Sequence, residues 1–315
     1  MRWLARSIGV LLLVLAHPAP SLAILAGAPP DTPAARVDAN STDSLWAGVG
    51  SLSVGGSAFS ATAIGTRYVL TAAHVVQGAA VSSIHFNLNF GGDLTHQIPA
   101  AEVFIHPAFV SFNNPNLQHD IALVELAQEL PAGVPIYGLH SADIASGTRL
   151  TMVGYGASGQ GSVGVTIGAS PTIKRKGNNS ADMFDLDVDG SGRKALYYFD
   201  FDGGGAANYL GGASLGNSIE TTLASGDSGS PAFVVNGTPE LAAVNTFVLS
   251  FQGGPTTAGV FGTGGGGNLV YAYREWIESV INRPAPPVAI PSLPDWALAV
   301  LGALLVLIAA ICLPV

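Results

Sequence analysis

ASGDSGSPAF, residues 224–233, sets one acid and three serines among small residues, with a proline close behind. Glycine, serine and aspartate are common turn formers, and the chain has 40 glycines. A surface turn is the plain reading. The other is a serine nucleophile caged by backbone N–H groups. Such a serine needs a base in hydrogen-bond reach, an acid that fixes the base's tautomer, and two N–H groups facing the oxyanion. Two other runs supply these parts. Thr71-Ala72-Ala73-His74 follows an apolar run at 68–70, so His74 sits at a strand end. In His119-Asp120-Ile121-Ala122-Leu123, Asp120 stands directly before a second apolar strand.

The rest of the chain narrows the class. Without its two hydrophobic ends the chain of 315 residues leaves about 260, enough for one two-lobed domain or two small ones. Charged residues make up 10% and hydrophobic ones 48%, which excludes global disorder. A formal net charge of −9 argues against a general nucleic-acid binder. The lone basic cluster, Lys174-Arg175-Lys176, reads as a solvated loop. Cys312 is the single cysteine, so no internal disulfide is available and stability must come from packing.

Runs rich in β-branched and aromatic residues recur at 46–54, 63–71, 83–90, 121–126, 149–155, 195–201, 232–235 and 241–249, split by turn residues. That pattern suggests an all-β sandwich or barrel. One helix is expected at 271–282, where Tyr273, Trp276, Ile277 and Val280 recur at helical spacing. The glycine-rich stretch 154–168 reads as a mobile loop, and 262–267 as a loop flanking a substrate groove. Neither has the strand–helix setting of a phosphate-binding loop.

Taken in order, TAAH, DIALVEL and GDSGSP resemble the motifs of the chymotrypsin-like, or trypsin-fold, serine proteases. The resemblance covers residues 24–282. It implies two six-stranded antiparallel β-barrels, a C-terminal helix, and endopeptidase activity on protein or peptide substrates without a required cofactor. His74 would be the general base, Asp120 its orienting acid and Ser228 the nucleophile. The N–H groups of Gly226 and Ser228 would form the oxyanion hole. Ile24-Leu25-Ala26-Gly27 is similar to the family's activated N-terminus, whose ammonium would pair with Asp227. The substrate pocket would comprise Thr222 at its floor with Thr246, Phe247, Val248 and Gly259 on its walls. Thr222 is uncharged and Val248 replaces a usual glycine, so a small or medium apolar side chain is expected before the cut bond. An esterase with the same triad and a non-catalytic binding protein on the same scaffold are the alternatives.

This sequence departs from the family at Val75, where a cysteine is usual, and in a long interval between Asp120 and Ser228. That interval holds Asp185, Asp187 and Asp189, spaced like the first half of a calcium loop. Leu196 occupies the closing position, leaving Asp200 or Asp202 to complete a Ca²⁺ site; a polar hairpin turn is the competing reading. The ends carry addresses. Arg2, Arg6, the apolar run 8–16 and Ser21-Leu22-Ala23 form a signal peptide over 1–23. The protease domain spans 24–283, followed by a proline-rich linker at 284–295 and an uncharged stretch at 296–315 long enough to cross a bilayer. The tail is similar to the IPTL-type sorting tails of exported proteins of Gram-negative bacteria, although its end lacks their basic cluster. Export follows, either to the periplasmic side of the inner membrane, to the cell surface, or into the medium after tail removal.

Overall fold

Val49–Val54 (β1) and Ser57–Ala63 (β2) pair antiparallel across Gly55-Gly56, whose φ angles of 56° and 88° suit a two-residue hairpin. They begin a closed barrel with Tyr68–Thr71 (β3), Ile84–Leu88 (β4), His96–Ile105 (β5) and Ala122–Leu126 (β6), in the order β1-β2-β3-β6-β5-β4. Leu52, Val69, Phe86 and Leu123 are fully buried inside it. The computed structural model describes residues 24–284, apart from 92–93, 113–116, 204 and 207, and also Ala297, Val300, Ala303 and Leu304.

The second half comprises Gly138–Leu139 (β7), Thr148–Gly154 (β8), Ser158–Gln160 (β9), Gly164–Ile167 (β10), Arg175–Ala181 (β11), Met183–Leu186 (β12), Lys194–Asp200 (β13), Pro231–Asn236 (β14), Thr238–Ser250 (β15) and Thr263–Leu269 (β16). Here the expected second six-stranded barrel is replaced by an eight-stranded sheet, β11-β8-β14-β15-β16-β13-β12, with β7 parallel to β15. The edge of β11 is taken by other segments: Val37 bridges Arg175 and Glu220 bridges Asn178. Covering an edge in this way satisfies its backbone groups without closing the sheet on itself. Ala73–Val76 (α1) is a single turn, and Val270–Ile281 (α2) is the expected C-terminal helix. Val270, Tyr273 and Ile277 of α2 are buried in the core cluster that also holds the first barrel's interior.

Three local expectations change. Residues 154–168 are not a continuous loop, because β9 and β10 pair there antiparallel. Residues 263–269 form β16, buried at every position. The basic cluster is not solvated as a whole. Lys174 and Arg175 are buried; Lys174 Nζ donates to Trp46 O at 2.8 Å and lies 3.3 Å from Asp38.

The signal segment 1–23 lies outside the described residues, as do the linker beyond 284 and most of 296–315. Among the described residues no helix is long and apolar enough to cross a membrane.

Candidate active site

β3 ends at Thr71, and its continuation turns directly into α1, which carries His74. The carboxylate of Asp120, just ahead of β6, receives the His74 backbone N–H on Oδ1 at 2.8 Å. Asp120 Oδ2 meets His74 Nδ1 at 2.6 Å, and His74 Nε2 meets Ser228 Oγ at 2.9 Å. Asp120 is buried, whereas His74 and Ser228 are half-exposed. The Phe112 ring packs 4.6 Å from the imidazole. Two contacts from one carboxylate fix both the position of the histidine and the ring face it presents.

Backbone geometry prepares the nucleophile loop as well. Gly226 has φ = 91°, a conformation that side chains disfavour. Asp227 N–H bonds to Ala224 O, Gly229 N–H to Asn245 O, and Ser230 N–H to Asp227 O. The N–H groups of Gly226 and Ser228 donate to no acceptor among the described residues. They are therefore available to an incoming oxyanion. Ser60 of β2 secures this loop: its N–H donates to Ser228 O at 3.1 Å and its hydroxyl to Gly226 O at 3.1 Å. The same hydroxyl accepts the Tyr155 N–H at 3.0 Å.

A model of the family described as Trypsin matches residues 38–277. The chain belongs to the trypsin family. No curated protein matches it significantly. In this trypsin-family scaffold the three residues singled out in the sequence come together from two lobes, His74 and Asp120 beside the barrel and Ser228 on the sheet side.

The pocket residues divide. Thr222 is fully buried, and its Oγ1 has no hydrogen-bond partner. Thr246 is buried and accepts from Asn268 Nδ2 at 3.3 Å. Phe247 is buried against Tyr198, with ring centroids 5.4 Å apart. Val248 is 56% exposed. Gly259 packs on the N-terminal arm: a Cβ there would lie 2.4 Å from Leu25 Cδ2 and 3.3 Å from Val165. Gly265 of β16 lies beside Phe247: a Cβ added there would be 2.9–3.1 Å from Phe199, Leu223 Cδ1 and Phe247 O. Its chain neighbours are also glycines, so composition gave no register by which to single it out.

Ile24 and Asp227 are both buried. Leu25 N–H donates to Thr222 O at 3.1 Å, and Ser158 Oγ donates to Ile24 O at 2.7 Å. Asp227 accepts the N–H groups of Gly156 at 3.3 Å and Ala224 at 3.1 Å. Burial pushes its carboxyl well above the usual range, against the pull of those N–H groups and the Arg175 charge.

Asp185, Asp187 and Asp189 sit around the hairpin between β12 and β13 without converging. Asp185 accepts the Tyr198 hydroxyl at 2.5 Å, and Asp187 accepts the N–H groups of Asp189 and Ser191. Asp189 approaches His119 Nε2 at 3.8 Å. His119 has φ = 66° and stacks on His106 at 5.1 Å, so its ring belongs to a packed aromatic group with Tyr273.

Proposed function

We propose that this trypsin-family chain is a serine endopeptidase with Ser228 as its nucleophile. The observation that carries the reading is the unbroken line Asp120–His74–Ser228 beside two unused N–H groups. His74 Nε2 takes the Ser228 hydroxyl proton as Oγ attacks the scissile carbonyl. The N–H groups of Gly226 and Ser228 hold the oxyanion. His74 then gives its proton to the leaving amine, and water releases the acyl group by the same path in reverse. Asp120 stays ionised and stabilises the imidazolium.

Thr222 gives the pocket an uncharged floor, and Phe247, Leu223 and Phe199 crowd Gly265. The side chain before the cut bond is accordingly small or medium and apolar. The N-terminal features support export, and the uncharged stretch 296–315 supports a tether at the membrane. Release of Ile24 by signal cleavage would supply an ammonium on an arm already bound by Ser158 and by Thr222, six residues ahead of Ser228.

Casein digestion by the wild type and by Ser228→Ala tests the reading. Loss of turnover by about 10⁶-fold in kcat is expected in the variant. Casein turnover that survives the substitution would overturn it. So would ester hydrolysis by the wild type with casein left intact.

A further inference from the structure

Four carboxyl groups around the segment that follows β13 have no part in the catalytic line: Asp182, Asp200, Asp202 and Glu220. Asp200, Asp202 and Glu220 are buried, and Asp182 is half-buried. No ion pair among the described residues includes any of them. Arg36 donates to the backbone oxygens of Ile219 and Glu220 at 2.8 and 3.0 Å, but its charge is met by Asp31.

Two of the four are served by N–H groups. Asp200 Oδ2 receives Tyr209 N–H and Leu210 N–H at 2.5 and 3.0 Å, and Asp182 Oδ2 receives Asp200 N–H at 3.2 Å. The other two are half-served. Asp202 Oδ2 accepts from Asn208 Nδ2 at 3.1 Å, and Glu220 Oε1 accepts Leu215 N–H at 2.5 Å. Asp202 Oδ1 and Glu220 Oε2 have no hydrogen-bond partner and no access to solvent. Their residues are only 8% and 2% exposed. Leaving a buried carboxylate oxygen unmet is expensive, because desolvation is not repaid by any contact. Burial raises the carboxyl of Asp202 to about 6, with the Asp200 charge adding to it, and that of Glu220 to about 7, against the pull of the Leu215 N–H, the Ser214 hydroxyl and the Asp202 N–H near that carboxyl. Asn217 brings a neutral oxygen to the same corner: a Cβ on Gly203, next to Asp202, would lie 2.6 Å from Asn217 Oδ1.

We propose that Asp202 Oδ1 and Glu220 Oε2 are the anionic ligands of a bound calcium ion, with Asn217 Oδ1 as a neutral third. Two carboxylates balance one divalent charge. Calcium accepts six to eight oxygens in flexible geometry, so backbone carbonyls and water complete its shell; magnesium demands a near-ideal octahedron. Among the described residues no three acidic, histidine or cysteine side chains gather as a metal cage, and the proposed site needs only two acids. The ion would tie the end of β13 to the segment that runs through Thr222 into the nucleophile loop.

The test uses the full chain bearing Ser228→Ala, which prevents self-digestion, stripped of metal with a chelator. Calorimetric titration with calcium chloride should give one ion per chain and a melting point raised by several degrees. Both effects should vanish in Asp202→Asn/Glu220→Gln and persist in Asp187→Asn/Asp189→Asn. No binding to the parent chain, or binding that survives the first pair and is lost in the second, overturns the proposal. Hydrogen exchange on the parent chain needs no ligand variant. Calcium should slow exchange over 215–220 and leave 187–192 unchanged; the reverse pattern, or no slowing anywhere, also overturns it.

Discussion

Ser60 has neither charge nor a chemical step of its own, yet it makes three contacts around the nucleophile loop. Its N–H and hydroxyl hold the carbonyls of Ser228 and Gly226, and its oxygen satisfies Tyr155 N–H. Ser60→Ala keeps the first contact and removes the other two. Each unmet buried group costs about 1–3 kcal/mol, and the loop that carries the oxyanion donors loses its lateral support. We expect kcat on a peptide substrate to fall roughly tenfold, equivalent to about 1.4 kcal/mol of barrier, with KM little changed. Ser60→Thr, which keeps the hydroxyl, should recover part of that loss. An unchanged kcat in the alanine variant would show that the loop holds its shape without this hydroxyl. At this scale the sequence was readable in proportion to local signature. His74, Asp120 and Ser228 each lie in a run with its own pattern. Ser60 sits in a stretch of small residues, SAFSATA, where nothing marks it until the chain has folded over it.

β16 shows why whole elements escaped a reading based on propensity. TGGGGNL has four glycines in a row, with no side chains to pack along its middle, and looks like a loop. Its glycines are required by what surrounds them: a Cβ on Gly266 would fall 2.2 Å from Tyr197 O and 2.6 Å from the Phe247 ring. The carbonyl belongs to β13, which pairs with β16, and cannot retreat without breaking that ladder. β11, with the sequence RKGNNSA, is similar: its strand identity comes from seven residues of pairing with β8. By contrast, β1, β3, β6 and β15 announced themselves through alternating or continuous apolar residues, and α2 through its helical spacing. Gly266→Ala should destabilise the domain by about 1–3 kcal/mol through overpacking. That corresponds to a melting point lower by roughly 2–12 °C for a domain of this size. Gly168→Ala, where an added Cβ meets nothing within 4 Å, serves as the control and should leave the melting point in place. Equal melting points for the two variants would contradict the crowding argument.

Across the whole molecule, the N-terminal arm is already bound to the segments that flank the nucleophile loop before any cut is made. Ile24 O is held by Ser158, Leu25 N–H by Thr222 O, and Gly156, two residues before Ser158, donates to Asp227. In the uncut chain Asp227 is buried with its carboxyl raised above the ordinary value of 3.8. The native state therefore keeps a proton that the unfolded chain releases, and stability declines as pH rises from about 4 toward that raised value. A free ammonium at Ile24 has the opposite effect, since a nearby positive charge favours the ionised acid and lowers its pKa. Urea midpoints measured from pH 4 to 8 distinguish the two states. One sample is the Ser228→Ala chain with its leader intact; the other begins at Ile24. The midpoint of the first should fall with rising pH, while that of the second should stay level or rise until the α-amino group loses its proton near about 8. Apart from His17 and the Met1 amino group of the leader, the titrating groups are common to both, so their contributions cancel in the difference once His17→Ala is carried in the longer chain. Parallel curves would mean that Asp227 never meets the new N-terminus, and that the loop is ordered by the contacts of the uncut chain alone.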